Sequence, residues 1–211
     1  MHALEAELRP LAPWLCPELR LWLLAPEAKS WHADDPLAFD MPYWAFAWPG
    51  GQALARHLLD HPELVRGKRV LDFGSGCAIE GIAAAKQGGE VRCADLDPRA
   101  AEFALRNASL NHVRLEVTTV DLLGTTPEVD VILAGDACYS PELAARLLPW
   151  LCAQAARGVD VLVGDPLRVP GALDRAERLA RHDASFDGDP RGLTLWPTWV
   201  LRLASETAVG Q

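Results

Sequence analysis

One segment of the chain, VLDFGSGCAIEGIAAA from Val70 to Ala85, restricts the fold more than any other. An apolar run typical of a buried strand leads into a Gly-Ser-Gly turn, and an alanine-rich stretch typical of a helix follows. This arrangement belongs to sheets whose carboxyl edge opens toward a ligand, because glycine lets the backbone approach a bound molecule closely. The segment therefore predicts an α/β fold with a binding site beside Gly74 and Gly76.

The rest of the chain from Lys68 onward repeats this alternation of apolar runs and helical patterns. This alternation of strand and helix patterns is typical of a parallel sheet covered by helices on both faces. A final strand pair is expected within 183–203, where Pro197 suits an edge or a bulge. The other predicted strands lie near 68–73, 90–95, 113–119, 129–135 and 159–164, and the helices near 78–87, 98–111, 141–157 and 171–182.

The first 50 residues differ in character from the rest. Repeated prolines prevent a long helix except around 51–60, yet the segment is rich in apolar and aromatic residues. We therefore expect residues 1–50 to form a cover that packs on a domain made by residues 51–211. A chain of 211 residues is long enough for one well-buried domain and short for two.

Composition and charge argue against several functional classes. The net charge of −9, without clustered Lys or Arg, disfavours a nucleic-acid surface. Five cysteines without C-x-x-C spacing and histidines without H-E-x-x-H spacing indicate neither a disulfide framework nor a metal site. No apolar run reaches the roughly 18 residues of a membrane helix, and the N-terminus lacks a signal-peptide pattern. A cytoplasmic protein without a membrane partner is expected.

The glycine turn distinguishes between two classes of nucleotide-like ligand. A dinucleotide fingerprint, G-x-G-x-x-G, requires glycine where this chain has Ile79. The pattern Asp72-x-Gly74-x-Gly76-x-Ala78 is instead similar to the D-x-G-x-G-x-G turn of class I methyltransferases, with alanine at the third glycine position. That resemblance implies S-adenosylmethionine as the cofactor, with Asp72 holding its ammonium end directly or through water. A tight connection without any ligand is the alternative that the turn alone leaves open.

Carboxylates follow the next two predicted strands. Asp95 lies about twenty residues after the turn, where doubly wound folds place an acid that accepts hydrogen bonds from ribose hydroxyls. Asp97, followed by Pro98, is better explained as the cap of the next helix. Asp121 occupies the position at which methyltransferases often bind the adenine amino group, although an ordinary turn aspartate explains it nearly as well.

A second set of motifs covers most of the chain. Asp136-x-x-Tyr139, after the fourth predicted strand, resembles the D-x-x-Y motif of the seven-strand protein lysine methyltransferases, often called family 16. PYWAFAWPGG, and D-x-x-Y together with GDPLR, are far more specific than the glycine turn. Between Pro17 and Trp199 the segments follow the order and approximate spacing of the members that modify the β-subunit of electron transfer flavoprotein. These segments are PELRLWLLAP, PYWAFAWPGGQAL, VRGKRVLDFGSGC, DLDP, GDACY, GDPLR and GLT.

This family resemblance implies a fold and a set of site residues. The fold is a Rossmann-like class I methyltransferase fold, with a mostly parallel seven-stranded sheet and helices on both faces. Trp48 is implied to lie against the cofactor, and Asp136 with Tyr139 is implied to line the entrance of the target lysine. Asp136 is also well placed on general grounds, because ligands of open α/β sheets bind beyond the carboxyl ends of central strands.

The same residues have purely structural interpretations. Asp136 would serve as a helix cap ahead of Pro141. Trp44 and Trp48 would be core residues, because an aromatic side chain before proline more often serves packing than chemistry. The GDPLR segment would be a plain turn in which Asp165 and Arg168 satisfy each other.

The activity implied by the resemblance is protein-lysine N-methylation of the β-subunit of electron transfer flavoprotein. Methyl transfer needs a neutral amine, whereas free lysine titrates near 10.4. We expect Asp136 to orient the incoming ammonium, while Tyr139 and Trp48 exclude bulk water. One alternative is a small-molecule amine N-methyltransferase, with the first 50 residues as a lid. The other is a non-catalytic S-adenosylmethionine-binding module, which intact Asp72, Asp95 and Asp136 make less favourable.

Overall fold

Between residues 69 and 165, strands and helices follow one another in the predicted order. The computed structural model of the protein describes residues 2–28, 42–185 and 194–204, with side chains from residue 4. Its strands are β1 Leu8–Leu11, β2 Leu21–Leu24, β3 Arg69–Phe73, β4 Glu90–Ala94, β5 Glu116–Thr118, β6 Val131–Gly135, β7 Asp160–Asp165, β8 Glu177–Ser185 and β9 Leu195–Leu203. Its helices are α1 His2–Glu5, α2 Pro49–Asp60, α3 Ile79–Lys86, α4 Pro98–Leu110 and α5 Pro141–Ala156.

Seven of these strands form one sheet in the order β5-β4-β3-β6-β7-β9-β8. Strands β3 to β7 pair in parallel, whereas β9 runs antiparallel to both β7 and β8. The strand order reverses around β3, which lies between β4 and β6, so a crevice opens beyond the carboxyl ends of these strands. The predicted Rossmann-like α/β fold with a mostly parallel seven-stranded sheet is confirmed.

Apolar cores cover both faces of this sheet. Neighbouring residues of β6 point to opposite faces, so Leu133 packs with α2 and α3 while Ile132 packs with α5. Strand β6 reads VILAG, and its first four residues are fully buried. This continuous apolar run is typical of a parallel strand with helices on both sides.

The described part of the first 50 residues packs on the sheet domain. Strands β1 and β2 form a separate antiparallel hairpin, which the sequence did not predict. Leu21 of β2 is fully buried in the core formed by α2 and α3, and Asn107 of α4 accepts a hydrogen bond from the backbone of Trp22. Helix α2 begins at Pro49, so one helix spans the predicted boundary at residue 50. Residues 29–41 of the predicted cover lie outside the described residues.

The prediction of a helix near 171–182 is wrong. Residues 177–185 form β8 at the edge of the sheet, and the final strand pair therefore begins earlier than the predicted range of 183–203. The Ala, Leu, Arg and Glu residues of this segment favour a helix locally. Pairing with β9 along the whole strand overrides that preference. Charged side chains such as Arg178 and Asp183 suit an exposed edge strand.

At Pro197, strand β9 is paired with a neighbouring strand on one side only. Pro197 pairs with Asp183 of β8, whereas the pairing of β9 with β7 begins only at Trp199. Proline cannot donate a ladder hydrogen bond, so it is accommodated where one flank of the strand is open. β9 therefore behaves locally as the edge that the sequence predicted, although it is an interior strand further along.

Candidate active site

A cavity of about 470 Å³ opens beyond the carboxyl ends of β3, β4 and β6. Its volume lies within the range of small-molecule and cofactor sites. It brings together seven of the eight residues that the sequence predicted for the site, and Asp72 is the exception. The seven are Trp48, Gly74, Gly76, Asp95, Asp121, Asp136 and Tyr139.

The glycine turn forms one wall of this cavity. Gly74 has a φ of +70°, and no atom lies within 4 Å of where a side chain would begin. The turn is tied to the next strand, because the amide of Gly74 donates to the carbonyl of Ala94 over 2.8 Å. Ala78, at the third glycine position, has a φ of +60° and lies just before α3. The third glycine of the pattern thus corresponds to a left-handed residue, which alanine adopts only at a cost of about 1–2 kcal/mol.

Asp95 lies beside this turn, half-buried at the end of β4. Its carboxylate accepts hydrogen bonds from the amides of Gly76, at 2.9 Å, and Asp97, at 3.0 Å. Asp97 itself accepts from the amide of Arg99 at the start of α4, so its predicted role as a helix cap is confirmed. Asp95 therefore connects the glycine turn to α4 while presenting a carboxylate to the cavity.

Asp121 also lines the cavity and is exposed. Its carboxylate accepts a hydrogen bond from the amide of Leu123 at 2.9 Å. This is the ordinary turn contact that the sequence left open, and it coexists with a place on the cavity wall. Two exposed apolar side chains, Leu96 and Val120, flank this region of the cavity.

Asp72 is fully buried beneath the turn and does not line the cavity. One carboxylate oxygen accepts from the amide of Gly81 at 2.9 Å and from the thiol of Cys93 at 3.6 Å. The other oxygen is buried with no hydrogen-bond partner among the described residues. Burial raises the pKa of Asp72 to about 7. Asp72 therefore joins α3 to β3, and its contact with the cofactor, directly or through water, stays a prediction.

Asp136 lies directly after β6, with a left-handed φ of +51°. One carboxylate oxygen accepts from a guanidinium nitrogen of Arg168 at 2.5 Å, and the other from the amide of Gly51 at 3.1 Å. Burial raises the pKa of Asp136 above its ordinary value, while Arg168 opposes that rise. Ser140 caps α5 by accepting from the amide of Leu143, so Asp136 is not the cap of that helix.

The N-terminus of α2 reaches Asp136 because Gly50 has no side chain. A Cβ atom there would collide with the carbonyl oxygen of Gly164 and lie 2.6 Å from a carboxylate oxygen of Asp136. The glycines of the PYWAFAWPGG motif therefore let α2 rest on the carboxyl ends of β6 and β7. This contact places two backbone amides of a helix N-terminus close to an acid, an arrangement that stabilises negative charge.

Aromatic rings form the rim of the cavity. Tyr43 stacks on Trp48, with ring centroids 5.8 Å apart, and lies parallel to Tyr139 at 6.5 Å. Tyr43 and Tyr139 are 59% and 58% exposed. Trp44, in contrast, is buried and stacks on Phe103 at 4.2 Å, so it is the core residue that the alternative interpretation described.

Among the cavity residues that the sequence did not predict, Tyr43 and Arg168 contact the predicted ones. Tyr43 belongs to the PYWAFAWPGG motif, but the sequence of this motif does not indicate which of its aromatic rings faces the cavity. Arg168 belongs to GDPLR, where the sequence suggested a pair with Asp165. The carboxylate of Asp165 instead accepts a hydrogen bond from the backbone amide of Leu167 at 2.5 Å. The guanidinium of Arg168 donates to the carboxylate of Asp136. Asp136 follows another strand, so no sequence spacing could indicate this pair.

The described part of the chain has neither a metal-binding cluster nor a membrane-spanning helix. No group of three or more His, Cys, Asp or Glu side chains there is arranged to hold a metal ion. None of the helices described is long and apolar enough to cross a membrane.

Sequence comparisons relate the chain to protein methyltransferases. Residues 54–135 match the family model described as ribosomal protein L11 methyltransferase (PrmA). The electron transfer flavoprotein beta subunit lysine methyltransferase of Xenopus laevis is 44% identical over 159 residues, which cover 73% of this chain and 65% of that protein. The homolog of this enzyme in Caenorhabditis elegans is 32% identical over 207 residues, which cover 89% of this chain and 84% of that protein. The chain spans slightly less than two thirds of the Xenopus relative.

Structural comparison agrees on the fold. A putative RNA methyltransferase from Pyrococcus horikoshii superposes with a TM-score of 0.56 at 15% identity, covering 82% of this chain and 93% of that one. Similarity at this identity concerns the fold alone, and it is the Rossmann-like methyltransferase fold. The sequence match to the nematode relative extends over most of both proteins. The chain therefore belongs to the electron transfer flavoprotein β-subunit lysine methyltransferase family.

Proposed function

We propose that this chain is an S-adenosylmethionine-dependent protein-lysine N-methyltransferase whose substrate is the β-subunit of electron transfer flavoprotein. The observation that carries the proposal is the position of Asp136. It lies at the carboxyl end of β6, in the same cavity as the glycine turn and Asp95. The name of the Xenopus laevis relative, which includes this flavoprotein subunit, supports the choice of substrate.

The residues of the cavity fit S-adenosylmethionine. Gly74 leaves open space where any other residue would place a side chain, and Asp95 offers a carboxylate to ribose hydroxyls. Apolar Leu96 and Val120, next to Asp121, suit an adenine ring and its amino group. When bound, this cofactor supplies a sulfonium methyl group that passes to the lysine nitrogen while the electron pair of the broken carbon–sulfur bond stays on sulfur.

Asp136 and the aromatic rim would prepare the lysine for this transfer. The Asp136 carboxylate is positioned to accept a hydrogen bond from the incoming amine and to orient its lone pair. The proton lost by the ammonium would leave to water or to Asp136. Fixing two reactants in the correct geometry can contribute roughly 7–11 kcal/mol to the rate. The left-handed backbone of Asp136 supports this role, because strained residues concentrate at functional sites.

The rim favours a protein over a small amine as the substrate. Tyr43 and Tyr139 are both more than half exposed, so the mouth of the cavity is accessible to a side chain projecting from a folded surface. The aliphatic part of a lysine side chain would pack along these rings. A small-molecule enzyme instead buries most of its ligand in a closed pocket.

Methylation of the purified flavoprotein β-subunit tests the proposal. The enzyme is incubated with isotope-labelled S-adenosylmethionine and the β-subunit from the same organism, and peptides are mapped by mass spectrometry. Labelled methyl groups on lysine are expected, and a lysine-to-arginine substitution at the modified position should abolish them. An unmodified β-subunit, together with turnover of a small amine, would establish the small-molecule alternative instead. Labelling of another protein in a lysate would retain the lysine activity and reject this substrate.

A further inference from the structure

Asp136 and Arg168 form a short ion pair within the cavity. The guanidinium nitrogen of Arg168 lies 2.5 Å from a carboxylate oxygen of Asp136. The side chains are 23% and 9% exposed, so solvent screens the interaction less than at a surface. Both residues line the same cavity. The carboxylate proposed to receive the target amine is thus already balanced by a fixed positive charge.

The backbone before Arg168 is held in an unusual conformation that directs this contact. Leu167 has a φ of +60°, a left-handed conformation that a bulky side chain rarely adopts. The Asp165 carboxylate accepts from the amides of Leu167 at 2.5 Å and Arg168 at 3.4 Å, which holds the turn in place. The guanidinium also lies 5.9 Å from the ring of Trp196. Three separate contacts therefore position one cation beside Asp136.

We propose that Arg168 is a positioning residue that neutralises Asp136, so that the target lysine binds as a free amine and not as an ammonium ion. This inference rests on the proposed function. An isolated carboxylate would stabilise the ammonium, whose nitrogen has no lone pair for transfer. With Arg168 in place, Asp136 still accepts a hydrogen bond, but a second cation beside it is disfavoured. The lysine then gives its proton to water before its lone pair forms the new carbon–nitrogen bond.

Other charged groups surround this pair, and most of them are acidic. Asp165 of β7 and Glu80 of α3 are buried and interact electrostatically with Asp136. Burial is the main cause that keeps the pKa of both above the ordinary range. Around the cavity the remaining charged side chains are Asp95, Asp121 and Arg146. Arg168 is the cation in contact with Asp136, so its removal should alter the charge at the amine most strongly.

The pH dependence of kcat with saturating protein substrate and S-adenosylmethionine tests the proposal. In the enzyme–substrate complex the rising limb of this profile reports the loss of the lysine proton. Arg168→Gln should move its inflection upward by about 1–2 pH units, because one nearby charge is lost. At neutral pH kcat should fall about tenfold or more, while KM stays equal or decreases. Arg168→Lys, which retains the charge, should keep the inflection near the wild-type pH.

Paired substitutions separate charge from structural support. Asp136→Asn alone should lower the inflection, and Asp136→Asn combined with Arg168→Gln should return it close to wild type, because the pair of side chains at these two positions again has no net charge. Arg202→Gln is the matched control, since Arg202 pairs with Asp160 at 2.8 Å outside the cavity and should leave the inflection unchanged. Binding of S-adenosylhomocysteine by calorimetry and thermal unfolding verify that each variant is folded. A loss of kcat in Arg168→Gln that is equal at every pH would overturn the inference.

A carbon-13 NMR titration of the Asp136 carboxyl in the free enzyme gives a readout without turnover. Arg168→Gln should raise the pH at which this carboxyl titrates, because its ionised form loses its cation. An unchanged titration would also overturn the inference, even if Arg168→Gln proves inactive. A wild-type enzyme that methylates no lysine would reject the proposed function, and the titration would then decide the electrostatic coupling by itself.

Discussion

Replacement of the buried Asp72 by asparagine should change how the stability of the protein depends on pH. Burial raises the pKa of Asp72 from its ordinary value of 3.8 to about 7. When the pKa of a carboxyl is higher in the folded state than in the unfolded state, its contribution to stability is complete at pH values below the unfolded pKa. That stabilisation is lost as the pH rises through the folded pKa. Wild-type protein should therefore lose stability between about pH 4 and pH 7 through this group.

The size of this loss follows from the shift in pKa. A difference of about 3 pKa units corresponds to about 4 kcal/mol over the whole range, and to about 2.5 kcal/mol between pH 5 and pH 8. Asparagine is neutral at every pH and keeps an oxygen that can accept from the amide of Gly81. Asp72→Asn should consequently gain about 2.5 kcal/mol relative to wild type when the pH is raised from 5 to 8.

Urea unfolding followed by tryptophan fluorescence at pH 5, 6, 7 and 8 measures this difference. Asp174→Asn, at an exposed position in the turn before β8, controls for the loss of one negative charge and should alter stability by less than about 0.5 kcal/mol. A difference between Asp72→Asn and wild type that is constant across these pH values would refute the reasoning. It would show that the buried carboxyl is ionised, or neutral, throughout the range.

Three further predictions concern the turn, the cofactor and turnover. Ala78→Gly relieves a left-handed alanine, whereas Ala84→Gly removes an equally buried methyl group and places glycine inside α3. In urea unfolding Ala78→Gly should be about 2–3 kcal/mol more stable than Ala84→Gly, of which about 1 kcal/mol is the cost of glycine in a helix, and a difference of only about 1 kcal/mol would contradict this. Asp95→Ala should weaken S-adenosylmethionine binding in calorimetry by about 1–3 kcal/mol, because a ribose hydroxyl loses its acceptor, and unchanged affinity in a folded variant would remove Asp95 from the site. Asp136→Asn should reduce kcat with little change in cofactor affinity, since the amide oxygen is a weaker acceptor than the carboxylate and orients the amine less firmly. Full methylation activity in that variant would reject the proposed role of Asp136.

The fold could be predicted well where burial and local pattern agree. Strands β3, β6 and β7 are apolar runs covered on both faces, and their observed bounds lie within two residues of the predictions. β8 was missed because its residues are charged and favour a helix locally. Its strand conformation depends on pairing with β9, a separate segment of the chain, so the sequence of β8 alone does not indicate it.

The site shows the same division between local and distant information. Gly74, Gly76 and Asp95 could be predicted because the turn and the following strand end are fixed by local sequence. The burial of Asp72 could not, since it depends on Cys93 and Gly81 closing over the carboxylate. Arg168 meets Asp136 across a separation of 32 residues, through a turn whose backbone conformation the letters of GDPLR do not reveal.

The docking of α2 on the strand ends also determines the order in which the site can be completed during synthesis. The contact between Gly51 and Asp136 joins residues 85 positions apart, and the side chain of Gln52 donates to the carbonyl of Ser185, 133 positions later. At a translation rate of about 5–20 residues per second, roughly 7–27 s separate the synthesis of Gln52 from that of Ser185. Until β8 and β9 have been synthesised, the face of α2 that packs on them lacks part of its cover. Contacts of such high sequence separation slow folding, so this part of α2 stays accessible to solvent until late in synthesis.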